Sequence, residues 1–194
     1  VMLKEHFRCV APIIEFSKRE FYNHELNPLR KPLASEILNP PLVDVYVKDG
    51  VRVNNSKTNL PEARFIVDEI KAITQDHSYK GRSIGIVSLL GNEQAYKIME
   101  LISQELGEEI INEYQIACGD ARTFQGKEKD IVFLSLVISK GAAFAMGKED
   151  FAQRMNVATS RARDRMYLVR SVTLEDLSQA DIYRIKLLQH FQSP

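Results

Sequence analysis

The chain has 194 residues, 44% of them hydrophobic, 27% charged and 8% aromatic. At roughly 150 residues per domain this is one sizeable domain, and its apolar fraction supports a packed core and excludes global disorder. Lys plus Arg and Asp plus Glu number 26 each, which excludes a protein that coats nucleic acid through a net basic excess and leaves only a local basic surface. Cys9 and Cys118 lie far apart, outside any C-x-x-C pair, so neither a disulfide framework nor a zinc knuckle is expected and a reducing, cytoplasmic compartment is. No run approaches the ~18 to 20 apolar residues of a membrane span, so no membrane partner is expected. VMLKEHFRC lacks the layout of a signal peptide, and the start at Val1 suggests a piece of a longer protein.

In chain order, residues 1–41 read as an entry helix followed by an extended connector. The connector, Asn27–Pro41, holds Pro28, Pro32, Pro40 and Pro41, which rule out a long helix. Leu42–Val47 is a strand candidate. Glu62–Thr74 places Phe65, Ile66, Ile70 and Ile73 at helical spacing after Pro61, which suits a first turn. Ile84–Leu90 (IGIVSLL) is short, nearly continuous and rich in β-branched residues, the pattern of a strand buried on both faces. Glu93–Leu106 is helical, with Asn92 as N-cap and Gly107 as stop. Tyr114–Cys118 is a weaker strand. Ile131–Ile138 (IVFLSLVI) repeats the buried-strand pattern. Asp150–Arg163 reads as a helix with Phe151, Met155 and Ala158 inward, and Met166–Val169 as a short strand. From Leu174 to Phe191, within a 170–194 helical appendage, Leu177, Ile182, Ile185 and Leu188 are expected to pack on the sheet. Strands alternating with helices of this length predict one α/β domain over residues 1–194 with a mainly parallel sheet and helices on both faces.

Three segments carry candidate chemistry. In an open parallel sheet ligands collect beyond the carboxyl ends of the strands. The loop Thr123–Asp130 (TFQGKEKD) precedes a buried strand and gathers Gln125, Lys127, Glu128 and Lys129 around Gly126, which permits close backbone approach or positive φ. A solvated turn would read the same way. In Arg154–Arg163 (RMNVATSRAR), Arg154 and Arg161 fall two turns apart on one face of the expected helix and could offer guanidinium groups to a phosphate. A basic solvent face paired with Asp150 and Asp164 is the alternative. In Glu5–Cys9 (EHFRC) an aromatic adjoins an arginine; alone, Phe7 reads as core and Arg8 as surface. Arg122–Arg170 holds ten Lys or Arg against five Asp or Glu, a basic flank that fits a phosphate-containing ligand. G-x-x-x-x-G-K-[ST], G-x-G-x-x-G and G-x-S-x-G are absent, and His6, His24, His77 and His190 show no metal-ligand spacing.

Taken in order, these segments resemble the second (C-terminal) RecA-like domain of superfamily 1 helicases, in the 5′-to-3′ branch that contains the nonsense-mediated-decay RNA helicase and related DNA helicases. EHFRCVAPIIEF followed by KREFYNHEL is similar to the Q-Y-R-M-H-P and F-Y pattern after motif III, matching Phe7, Arg8, Phe16, Phe21 and Tyr22. TFQGKEKDIVFLS resembles motif V (F-Q-G-R-E-K-D). RMNVATSRARDRMYLV resembles motif VI (R-x-N-V-A-x-T-R-A-R), and IGIVSLLGNEQ resembles motif IV more loosely. SLL replaces the T-P-Y of motif IV, Gln94 falls one place late, Phe7 replaces Tyr and Ser160 replaces Thr. The resemblance implies that Arg8 contacts the γ-phosphate of ATP, Phe7 stacks on adenine and Arg161 acts as an arginine finger. It further implies that Glu128 accepts hydrogen bonds from the ribose and that Gln125 and Gly126 shape a loop coupling nucleotide to nucleic acid. Ser88 and Thr123 would donate hydroxyls to a phosphodiester backbone. ATP with Mg2+ would be bound jointly with an N-terminal RecA-like domain of the same polypeptide, and the partner would be single-stranded DNA or RNA. The alternative is a non-catalytic RecA-like scaffold that binds a protein or nucleic-acid partner.

Overall fold

In the computed structural model, which describes residues 5–53, 56–141 and 149–193, the buried apolar runs line up side by side. The elements are β1 (Glu5–His6), α1 (Ala11–Phe21), β2 (Asn27–Pro28), β3 (Leu42–Tyr46), α2 (Leu60–Gln75), β4 (Ile84–Ser88), α3 (Glu93–Glu105), α4 (Gly107–Glu113), β5 (Ala117–Asp120), β6 (Lys129–Ser139), α5 (Glu149–Thr159), β7 (Ala162–Ser171) and α6 (Ile182–Gln192). Five strands pair in the order β3-β7-β6-β4-β5, every pairing parallel. β1 and β2 form a separate parallel pair beside this sheet. The chain is α/β, as its pattern predicts. Among the described residues, no helix is long and apolar enough to cross a membrane.

The two-residue period of a strand sorts the core into two layers. In β6 and β7, Val132, Leu134, Met166 and Leu168 pack with α1, α5 and α6 on one face. Ile131, Phe133, Tyr167 and Val169 pack with α2, α3 and α4 on the other, and the Phe133 and Tyr167 rings stack with centroids 4.3 Å apart. β6 has helices on both of its faces, which is why its sequence shows no polar alternation.

Several expected boundaries shift. β5 begins at Ala117, because Tyr114 closes α4 and Gln115 turns the chain with φ 44°. Gly107, with φ 79°, ends α3 as expected, but a further short helix, α4, follows directly. Asn92 makes no side-chain cap, and its Oδ1 accepts from the Asp120 N–H at 2.7 Å instead. Of the terminal residues expected to pack, Leu177 and Leu188 are buried, Ile185 is partly buried and Ile182 is exposed.

The largest shift is at the end of α5. This helix stops at Thr159 and β7 starts at Ala162, so Arg161 shares no helical face with Arg154. Side chains cap the carbonyls of the last turn: Thr159 Oγ1 donates to Met155 O (2.8 Å), Ser160 Oγ to Val157 O (3.1 Å) and Arg161 Nε to Val157 O (2.8 Å). Satisfying these orphan acceptors locally lets the chain leave the helix without stranding them. Asp164 does not serve the α5 arginines either; it is buried between Arg30 (2.6 Å) and Arg82 (3.1 Å). The side chain of Asp150 lies outside the described residues.

Because β5 and β6 are parallel, residues 121–128 must return from the carboxyl end of one to the amino end of the other, passing over β4. Phe124 is fully buried on this path. A Cβ added at Gly85 of β4 would lie 2.9 Å from Phe124 Cε1 and 3.0 Å from Lys129 Cγ, closer than packed carbons tolerate. Gly85→Ala is therefore expected to cost about 1–3 kcal/mol through overpacking. Denaturant unfolding of the variant measures this, and unchanged stability would mean that the loop does not need the glycine.

Candidate functional site

Three of the sequence-nominated residues, Arg8, Glu128 and Arg161, meet at the edge opposite to the expected one. β6 and β7 pair from Lys129 and Ala162 onward, and the Lys129 N–H donates to Arg161 O at 3.0 Å. Glu128 and Arg161 thus precede two adjacent strands at their amino ends. The carboxyl-edge rule does not reach these three because the loop that carries Glu128 runs from the carboxyl end of β5 over β4 to the amino end of β6.

Arg8 reaches this edge from the turn between β1 and α1. Its Nε donates to Glu128 Oε2 in an ion pair whose side chains are 33% and 43% exposed. Val10 N–H donates to Arg163 O (2.9 Å) at the start of β7 and Cys9 Sγ to Ser160 O (3.5 Å), fastening the turn to β7 and to the link before it. Phe7, read from sequence alone as core, is 64% exposed next to Arg8. Phe16, from the same stretch, is buried, whereas the Tyr22 hydroxyl accepts from Asn156 Nδ2 (3.3 Å) on α5.

Arg161 is half-buried, and its hydrogen bonds go to backbone carbonyls, Val157 O at 2.8 Å and Lys127 O at 3.4 Å. Burial first, and then the positive charge of Arg8, push its pKa down, while Glu128 opposes them. An arginine stays charged under such pressure, so the two crowded cations make this edge a place where added negative charge is favourable. Gly126 takes φ 81° with open space where a Cβ would stand. Its glycine is required by backbone conformation, as the sequence allowed. Exposed Gln125 lines a cleft of about 310 Å³ between this loop and α5, with Arg122, Gln153, Arg154 and Val157.

The two expected strand contacts are placed differently. Ser88 is buried, and its Oγ accepts from the Leu90 N–H (3.3 Å), so the hydroxyl faces no open surface. Thr123 is exposed, but its N–H and its hydroxyl both donate to Asp120 Oδ1 at 2.8 Å. Its one hydroxyl proton is engaged, beside a carboxylate that repels phosphate.

Sequence reasoning missed two features. His6 sits inside the Arg8 turn, its Nε2 accepting from the Cys9 N–H at 3.2 Å. A buried polar network also lies at the carboxyl ends of β6 and β7. There Glu62 of α2 accepts from Ser135 Oγ (2.7 Å), Val137 N (2.9 Å) and Ser171 Oγ (2.7 Å). Gln94 joins the network through Asn59 and Ser135 Oγ. The N-x-x-E spacing from Asn59 to Glu62 is a legible helix-start signal, but only the fold sends Glu62 into the sheet.

A parallel sheet between two helical layers is a RecA-like α/β arrangement. Residues 1–173 match the AAA domain model AAA_12, and the chain belongs to that family. It is 29% identical over 192 residues to the uncharacterized ATP-dependent helicase MG140 of Mycoplasma genitalium, covering 90% of this chain and 16% of that protein. It is 31% identical over 179 residues to the 5′-3′ DNA helicase ZGRF1 of Mus musculus, covering 89% and 9%. It is 28% identical over 194 residues to helicase sen1 of Schizosaccharomyces pombe, covering 94% and 11%. A crystal structure of the C-terminal domain of a possible DNA helicase from a Lactobacillus aligns with a TM-score of 0.48 at 15% identity, covering 90% of this chain and 91% of that one. The resemblance to helicases stated from the motifs agrees with these relatives. The chain spans less than a fifth of the length of each of the three curated relatives.

Proposed function

We propose that this chain is the C-terminal motor lobe of an ATP-dependent nucleic-acid helicase, supplying an arginine finger and part of the track for a single strand. The observation that carries this reading is the meeting of Arg8, Arg161 and Glu128 at the amino edge of β6 and β7. In this reading ATP lies between that edge and an N-terminal RecA-like lobe of the same polypeptide. Arg8 and Arg161 reach the γ-phosphate, Phe7 covers adenine, and Gln125 and Gly126 form the floor of the loop.

The Arg8–Glu128 ion pair would be the resting state. A partly exposed pair is worth only about 0–1 kcal/mol, so a multiply charged phosphate can take Arg8 from it. Glu128 is then free to accept hydrogen bonds from the ribose. Mg2+ is assigned to carboxylates of the partner lobe, as the resemblance to helicases implies. Bridging the phosphates between lobes would close the cleft, and hydrolysis would release it. Residues 121–128 connect the nucleotide edge with the carboxyl end of β5, which suits them to carry that change to a bound strand. Thr123 would meet such a strand after exchanging its Asp120 bond; Ser88 is left out of the contact set.

The test compares the full-length protein with the purified 194-residue chain. Strand-stimulated ATP turnover is expected in the former and none in the latter, using DNA and RNA strands in parallel. Turnover by the isolated chain would contradict the division of labour. Its absence from the full-length protein would favour a scaffold instead.

A further inference from the structure

His6 is a titratable group inside the Arg8 turn that the nucleotide reading does not use. Its backbone is fixed from outside: β1 pairs with β2 through His6 and Pro28, and the Leu29 N–H donates to His6 O at 2.8 Å. Arg30, one residue further on, is held by buried Asp164. The imidazole then reaches forward to accept from the Cys9 N–H. This bond closes a turn whose tip is Phe7 and Arg8, while Cys9 is fastened to the link before β7 and Val10 to β7 itself. An imidazole nitrogen that accepts carries no proton, so the ring is neutral with its proton on Nδ1.

We propose that His6 is a positioning residue for nucleotide binding: its neutral imidazole fixes the Phe7–Arg8 turn opposite Arg161, and gaining a proton releases that turn. The proposal rests on the reading that Arg8 and Arg161 share a nucleotide. The charged groups facing His6 are Arg8 from its own turn, Arg161 from the link between α5 and β7, and Glu128 from the loop before β6. Burial, then Arg8 and Arg161, lower its pKa from the ordinary 6.5, and only Glu128 opposes them. A proton on Nε2 would replace the acceptor of the Cys9 N–H with a donor and set a third cation beside two arginines.

The turn is intact at neutral pH and is lost as pH falls through a value below the ordinary histidine one. The experiment measures kcat/KM for ATP in the full-length protein, with saturating single strand, across about pH 5 to 8. His6→Gln is the paired variant, because its carboxamide oxygen can accept the Cys9 N–H and has no proton to gain. The expected result is a wild-type acid limb approaching tenfold per pH unit that is missing from His6→Gln, with the variant within about threefold of wild type near neutrality. The ratio of the two profiles cancels the titration of ATP itself. An identical acid limb in His6→Gln, loss of its neutral activity, or tighter ATP use by wild type at acid pH would each overturn the proposal. Arg8→Ala separates the layers: wild-type kcat/KM in that variant removes the nucleotide reading, whereas an impaired Arg8→Ala with an unchanged His6→Gln limb removes only the role of His6.

Discussion

Replacing Arg161 by alanine in the full-length protein is expected to lower the ATP turnover number by on the order of 10³-fold or more. The guanidinium is half-buried, crowded by Arg8 and held at Nε by Val157 O, so it needs little reorganisation to meet charge that develops on a transferring phosphoryl group. On the proposed reading its contribution belongs to the transition state, so kcat is expected to fall far more than ATP affinity does. Arg161→Lys recovers about tenfold at most: one ammonium cannot cap Val157 O and reach a phosphate together. Steady-state turnover at saturating strand, with direct nucleotide binding beside it, separates the two parameters. Wild-type turnover in Arg161→Ala would take this residue out of the chemistry.

What the sequence made legible, and what it did not, follows from the range of the interactions. β6 was readable because every residue from Ile131 to Ile138 is buried, and burial on both faces leaves an uninterrupted apolar run. α2 was readable because Ile66, Ile70 and Ile73 share one helical face. The end of α5 was not, because the stop is made by hydroxyl and guanidinium groups of ordinary helix-compatible residues at 159–161, with no glycine or proline to mark it. The edge at which the arginines meet was also hidden. It depends on residues 121–128 crossing β4, which in turn depends on the small side of Gly85 beneath Phe124. The segments were found by their residue types and by likeness to helicase motifs, while their convergence belongs to the topology.

Glu62 gives the largest expected effect on stability. Its carboxylate receives the Val137 N–H, and Val137 holds φ 69°, a left-handed conformation that a β-branched residue seldom adopts. Glu62→Ala strands that N–H and leaves the Ser135 and Ser171 hydroxyls without their acceptor, at a cost of about 3 kcal/mol or more. The same carboxyl makes stability depend on pH. Burial pushes its pKa from the ordinary 4.5 up to about 7, against hydrogen bonds from Ser171, Val137, Ser135 and Leu136 that hold it down. The folded chain therefore keeps the proton more tightly than the unfolded chain, and this stabilisation is present at low pH and lost as pH rises through 7. His6 and His190, whose folded pKa values are lowered mainly by burial, act in the opposite sense below the ordinary histidine value. Unfolded histidines already take up protons between about pH 8 and 6.5, so the Glu62 effect is read there as a difference: as pH falls, the melting temperature of the wild type should rise relative to that of Glu62→Gln, whose carboxamide has no proton to gain. A slope that is the same in Glu62→Gln would mean that other groups alone titrate there and that Glu62 is charged within the fold throughout.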